Sequence, residues 1–246
     1  MTRRRWMADE FSGNRAVLTG EHADHLIRVL RARVGQEFDV ATGTTVRRGR
    51  VTEISQHRVE FELGEEIASA SATNLTLLLA VFKFDRMEWA IEKCTELGAS
   101  RIVPAIARRT GTHLVSAAAK RAERWRKIAS QAAEQSRRTA APQIMAPLKL
   151  KEAINLTAGL RIVLAETEQG THLREVLDAR QDEQDAGKGA RATSVVLAVG
   201  PEGGWTEDEL QLFHAAGWIS ASLGPTILRA ETAAIAATAI TISALT

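Results

Sequence analysis

The chain has 246 residues, 45% of them hydrophobic, with 32 Lys/Arg against 30 Asp/Glu and a formal net charge of +2. This is enough apolar material for a sizeable core, arranged as one large domain or two smaller ones. No apolar run reaches the roughly 18 residues a membrane-spanning helix needs, and the lone Cys94 excludes an intramolecular disulfide and argues against a thiol metal site.

Residues 1–9 carry charge at Arg3, Arg4 and Arg5 but no following apolar stretch. A secretory leader is therefore not expected, and a cytoplasmic location is. Residues 1–70 read as β-rich. Short segments lie at 15–19, 37–41, 47–54 and 58–63, several with period-two alternation, and glycines at 13, 20, 35, 43, 49 and 64 punctuate them. A helix at 21–31 interrupts, with His25, Leu26, Val29 and Leu30 inward. Several short strands in so few residues predict a small β-barrel over 1–70. Its arginines (3–5, 28, 31, 33, 47, 48, 50) are segregated from the acidic residues at 60–66, which gives a basic face for RNA. His22 and His25 lie three apart without a third ligand nearby, so no metal is expected there.

Residues 68–74 are small and polar, a linker. Beyond it the pattern changes to strand–helix alternation over 74–246. Residues 75–81 form a continuous apolar run, as a buried parallel strand does. A helix follows at 86–97, with Met87, Ala90, Ile91, Cys94 and Leu97 at helical spacing and Gly98 as its C-cap. Further strands are expected at 101–106, 160–165, 194–199 and 221–223, and a basic helix at 120–138 with Trp125 and Ile128 inward. This is an α/β domain with a mainly parallel sheet. Residues 101–151 hold 12 Lys/Arg against only Glu123 and Glu134. That balance points to a polyanion such as nucleic acid, the plain alternative being an arginine-rich solvated helix face. Residues 181–193, charged and glycine-containing, read as a loop. Residues 232–245 carry no charge, so a helix there is either core or half of a subunit interface.

Two glycine–proline segments carry the chemistry. Gly200-Pro201-Glu202-Gly203-Gly204 follows a strand and precedes Thr206 and Glu209, which have capping-box spacing. It is neither a phosphate-binding Walker loop nor GxGxxG, since no Lys-Ser/Thr follows. Leu223-Gly224-Pro225-Thr226-Ile227-Leu228-Arg229-Ala230-Glu231-Thr232 also lies between a strand and a helix. Glycine and proline at strand ends expose main-chain groups where α/β sheets bind ligands. Arg229 is either a surface cation or a partner for an anionic substrate. Glu231 is either a carboxylate favoured by the helix dipole or a proton acceptor.

This pair of segments resembles the SPOUT methyltransferases with a C-terminal trefoil knot, and within them the ribosomal RNA small subunit methyltransferase E family. His25–Arg31 with Val34-Gly35, Lys83, Met87-Glu88, Lys93–Gly98, Ile102–Pro104, Arg108-Arg109 and Ala132–Arg137 are similar to that family in the same order. Thr226 stands where the family often has Arg, and Thr42-Gly43 where it often has Asp-Gly.

The resemblance implies a PUA-like N-terminal barrel, a knotted SPOUT domain and a homodimer. It also implies S-adenosylmethionine as cofactor and methylation of uracil N3 in 16S rRNA of the 30S subunit. Cofactor contacts are then expected from Leu164, Ala165, Val199, Gly200, Pro201, Glu202, Gly203, Gly204, Leu223, Gly224, Pro225, Ile227, Leu228, Ala230 and Thr232. Arg229 and Glu231 (with Glu202 as a third option) are the catalytic candidates. Arg3, Arg4, Arg5, Arg28, Arg31, Arg108, Arg109, Arg137 and Arg138 are the RNA-binding candidates. Trp205 has two readings, a base-stacking surface or a core residue. The alternatives are a non-catalytic rRNA-binding or assembly factor, a SPOUT enzyme of another specificity, and a nucleotide-phosphate enzyme.

Overall fold

The computed structural model describes residues 5–43, 45–67, 74–185 and 194–245, with the side chains of 180–185 left aside. The chain divides into two compact units, Met1–Ser71 with Ala133–Ala141, and Ala72–Ala132 with Pro142–Thr246.

The first unit contains β1 (Arg5–Met7), β2 (Glu10–Ser12), β3 (Arg15–Thr19), α1 (Gly20–Asp24), β4 (Glu37–Ala41), β5 (Val46–Ser55) and β6 (Arg58–Ile67). They form a six-stranded sheet in the order β1-β4-β5-β6-β3-β2, curled into a half-barrel. Register shifts in β5, between Arg47/Gly49 and Val51/Glu53, strengthen the local twist that curls a sheet. Trp6, Leu18, Leu26, Val40, Phe61 and Leu63 fill the inside. The helix expected at 21–31 is shorter. α1 passes into a π-helical turn at His25–Val29, and Arg31 already has φ +50°. Residues 133–141 group with this unit, whereas the expected boundary put them in the second. Pairings that sequence spacing does not show hold them there: Arg5 donates to the Arg137 carbonyl, and His22 lies 2.8 Å from Glu134.

The second unit runs β7 (Leu75–Ala80), α2 (Phe84–Leu97), β8 (Arg101–Ile106), α3 (Thr112–Gln135), β9 (Gln143–Ile144), β10 (Leu148–Lys149), α4 (Leu150–Ala153), β11 (Leu160–Leu164), α5 (Leu173–Asp185), β12 (Val195–Val199), α6 (Glu207–Ala215), β13 (Ile219–Ala221) and α7 (Ala230–Leu245). The sheet is parallel, in the order β10-β8-β7-β12-β11-β13, with β9 also on β8. Every residue of β7 and β12 is buried, because helices cover both faces. Alternate side chains sort into two cores. Leu77, Leu79, Leu197 and Val199 pack with α2, α3, α5 and α7, while Leu78, Ala80, Val196 and Ala198 pack with α4 and α6. Burying one such leucine stabilises by about 1.5–3 kcal/mol.

α5 extends through residues 181–185, which correct the expected loop; the rest of that loop, 186–193, lies outside the described residues. The pattern over 181–185 is Gln-Asp-Glu-Gln-Asp, continuing a helix already braced by the i,i+4 pair Arg174–Asp178. α3 begins eight residues before the expected start at 120. α7 buries Ala234, Ala237, Thr238 and Thr241 against the α2 side of the sheet, with Thr232, Ser243 and Leu245 exposed.

Candidate functional site

β11 lies between β12 and β13, paired Val163↔Ala198 and Leu164↔Ala221. The parallel register brings the carboxyl ends of these three strands side by side, so the loops that follow them converge although they are far apart in sequence. A cleft of about 200 Å³ opens there. This is where open parallel sheets place their ligands.

The wall after β12 is residues 200–205. The Gly204 N–H donates to the Pro201 carbonyl at 2.9 Å, closing a tight turn. Gly204 has φ +69°, a conformation strained for any residue with a side chain. Two arginines from other elements hold this turn. Arg109 donates to the Gly203 carbonyl and, at 3.4 Å, to that of Trp205. Arg86 of α2 donates to Glu202 Oε1 at 3.0 Å. Beyond the turn, the expected capping box is present. Thr206 N–H donates to Glu209 Oε2 at 2.9 Å, and Glu209 N–H to Thr206 Oγ1 at 3.4 Å. The buried Glu209 also accepts the Arg108 N–H at 2.7 Å, tying the residues after β8 to the start of α6.

The wall after β13 is residues 222–230, continued by the first turn of α7, from which Ala233 also lines the cleft. Gly224 has φ +123°, and Pro225, Thr226 and Ile227 are exposed, Ile227 to 80%. Leu164 at the end of β11 and Ala165 after it, with Val199 and Leu228, form the apolar part of the lining.

Of the expected cofactor residues, Gly203 and Thr232 do not line the cleft; the others do. Gly203 backs onto Arg109, whose Cδ is 3.2 Å from where a Cβ would stand. Thr232 is exposed on α7. Arg229 is exposed, between lining residues Leu228 and Ala230, and its guanidinium has no ion pair among the described residues. Glu231 does not face the cleft. It is 3% exposed, its Oε1 lies 3.8 Å from Arg86 Nε, and its Oε2 has no hydrogen-bond partner among the described residues. Sequence reasoning did not find Glu166, Thr167, Ser222 or Arg109 as lining residues. Arg109 was visible only as a cation for RNA. Trp205 is both lining and core: it is 7% exposed, its ring stands 5.0 Å from Phe213, and its indole N–H is buried without a partner among the described residues.

The RNA methyltransferase domain family matches residues 69–242. The chain belongs to this family. Within it, the chain is 34% identical over 222 residues to the ribosomal RNA small subunit methyltransferase E of Synechocystis, covering 88% of this chain and 69% of that protein. It is 30% identical to the Rickettsia conorii protein of the same name, over 90% of this chain and 87% of that one. The fold is similar to the crystal structure of the Neisseria gonorrhoeae ribosomal RNA small subunit methyltransferase E bound to S-adenosyl methionine. The TM-score is 0.79 at 29% identity, covering 97% of this chain and 96% of that one. The chain is thereby a member of the ribosomal RNA small subunit methyltransferase E family.

In this family member the arginines expected to meet RNA fall in different places. Arg5, Arg28, Arg31, Arg137 and Arg138 belong to the first unit, Arg108 and Arg109 to the second. Arg3 and Arg4 lie outside the described residues. Arg28, Arg31 and Arg137 are exposed; Arg28 makes only a 3.8 Å pair with Asp24. Burial pushes the Arg138 guanidinium below its ordinary pKa. Arg108 reaches Asp208 at 3.4 Å, a pair exposed on both sides. His22 stands between Asp9 Oδ1, at 3.2 Å, and Glu134 Oε1, at 2.8 Å. Hydrogen bonding to Asp9 and Glu134 raises its pKa to about 10 against the cost of burial. Asp9 is partly desolvated, which works the other way, yet the bonds from His22 and Thr19 hold it below the ordinary value. Among the described residues no group of three or more His, Cys, Asp or Glu is placed to hold a metal ion, and no helix is long and apolar enough to cross a membrane.

Proposed function

We propose that this chain transfers a methyl group from S-adenosylmethionine to N3 of a single uridine of 16S rRNA in the small ribosomal subunit. It does so in the cytoplasm, as a homodimer that uses the uncharged stretch 232–245 of α7. The observation that carries this reading is the convergence of both glycine–proline segments on one cleft, in a member of a family whose gonococcal relative holds S-adenosyl methionine.

The residues fit that cofactor. Leu164, Val199 and Leu228 offer apolar walls to an aromatic base. The glycine turn offers main-chain groups unobstructed by side chains. The carboxylates of Glu166 and Glu202 offset positive charge, and the Trp205 indole N–H is a buried donor without a partner. When bound, S-adenosylmethionine supplies a methyl group activated by a sulfonium. The protein's task is orientation and charge. N3 of uracil is a poor nucleophile until its proton leaves to solvent, and negative charge then spreads onto the exocyclic O2 and O4 carbonyl oxygens. We assign to Arg229, exposed beside two lining residues, the stabilisation of that charge, an effect worth about 10²-fold in rate. Holding N3 in line with the methyl group supplies much of the remainder. Glu231 serves Arg86 rather than the nucleobase. Arg28, Arg31 and Arg137 take phosphates, which makes binding salt-dependent.

Unmodified 30S particles incubated with labelled cofactor, followed by mass spectrometry of the nucleosides, test the reading. N3-methyluridine is the expected product. Absence of transfer identifies a non-catalytic rRNA-binding factor, and a methyl on ribose or another base identifies a different specificity.

A further inference from the structure

We propose that Arg86 is a positioning residue that locks the two walls of the cleft to each other. The inference rests on the reading of the cleft as the S-adenosylmethionine site. Arg86 occupies the first turn of α2, where the helix dipole disfavours a cation. Two carboxylates compensate, and they belong to different walls. Glu202, 3.0 Å away, sits in the glycine turn after β12; Glu231, 3.8 Å away, sits in the first turn of α7, directly after the segment that follows β13. Among the described residues Arg86 alone is ion-paired to both walls. Glu202 lines the cleft and Arg86 does not, so Arg86 acts through its partner.

The burial pattern shows which contact does what. Arg86 and Glu202 are each about one-third exposed (30% and 34%), and the Glu231 side chain is 4% exposed with one oxygen unpartnered. The nearly buried carboxylate anchors the guanidinium, because a buried charge without a counter-charge is costly. The anchored guanidinium then holds the mobile-by-composition glycine turn through Glu202. A cation kept at the helix start and paired to carboxylates on both sides of the cleft is what a functional constraint leaves behind.

The test separates positioning from stability. Arg86→Met should raise the S-adenosylmethionine dissociation constant about tenfold, measured by isothermal titration, and lower the melting temperature through the stranded Glu231. Adding Glu231→Gln removes the stranded charge. The double variant should regain the melting temperature while cofactor affinity stays weak. Arg86→Lys should recover part of the affinity, since an ammonium satisfies one carboxylate but not the forked pair. Arg86→Met with affinity within about twofold of wild type overturns the proposal, as does a double variant that regains both properties. A wild-type protein that shows no binding overturns the cofactor reading itself.

Discussion

The two walls of the cleft share a Gly-Pro pair and differ in restraint. The turn at 200–204 is held by Arg109 on its backbone and by Arg86 on Glu202, and it runs into a capped helix. The segment at 223–229 is anchored at its ends, through the Ser222 N–H to Thr171 and the Arg229 carbonyl to Ala233, while Pro225, Thr226 and Ile227 stand exposed between. Glycine and proline therefore do not decide whether a loop is a fixed cradle; the neighbouring elements do. A restrained wall lowers the ordering cost of binding a small molecule. The second wall, anchored only at its ends, leaves Arg229 and Ile227 exposed.

The comparison is broken most severely at Arg229. Arg229→Ala should cut turnover by about 10²-fold or more while cofactor affinity stays within a few-fold, read from single-turnover rates and titration. Normal turnover would remove Arg229 from the chemistry. Next comes the restrained wall. Gly203→Val places a Cβ 3.2 Å from Arg109 Cδ and crowds the turn; cofactor affinity should fall by about tenfold or more. Unchanged calorimetric affinity would take the turn out of the site. Arg109→Met keeps the bulk but removes the donors to the Gly203 and Trp205 carbonyls. A smaller loss, about fivefold, is expected in affinity, with little change in rate once the cofactor saturates.

The least severe test sets these tethers against the first unit, where the corresponding cation titrates. The His22 pKa is raised from 6.5 to about 10, so its stabilisation is complete below pH 6.5 and is lost as pH rises through about 10. The difference in melting temperature between wild type and His22→Gln should shrink across that window. A difference that stays constant would mean that Asp9 and Glu134 do not hold a charged His22. Arginine tethers do not deprotonate in this range.

Much of the cleft was readable in sequence because its signals are local. Gly200-Pro201 and Gly224-Pro225 follow apolar runs, and Thr206 with Glu209 announces a helix start. The change between alternating and continuous apolar patterns falls near residue 70. What escaped depends on distance in the chain. Arg86 meets Glu202 across 116 residues, and Arg109 meets Gly203 across 94. No spacing rule reaches that far, so Arg109 read as a cation for RNA and Arg86 as nothing in particular. Glu166 and Thr167 follow β11 without a glycine or proline to mark them. Residues 133–141 left the second unit because Arg137 and Glu134 found partners at Arg5 and His22, which charge counting cannot foresee.

Co-crystallisation with S-adenosylmethionine tests the central claim most directly. The account predicts an adenosine moiety between the turn at 200–204 and the segment at 223–229, against Leu164 and Val199, with Arg229 at the rim. Cofactor density elsewhere, or those two segments closed on each other with the ligand excluded, would contradict it.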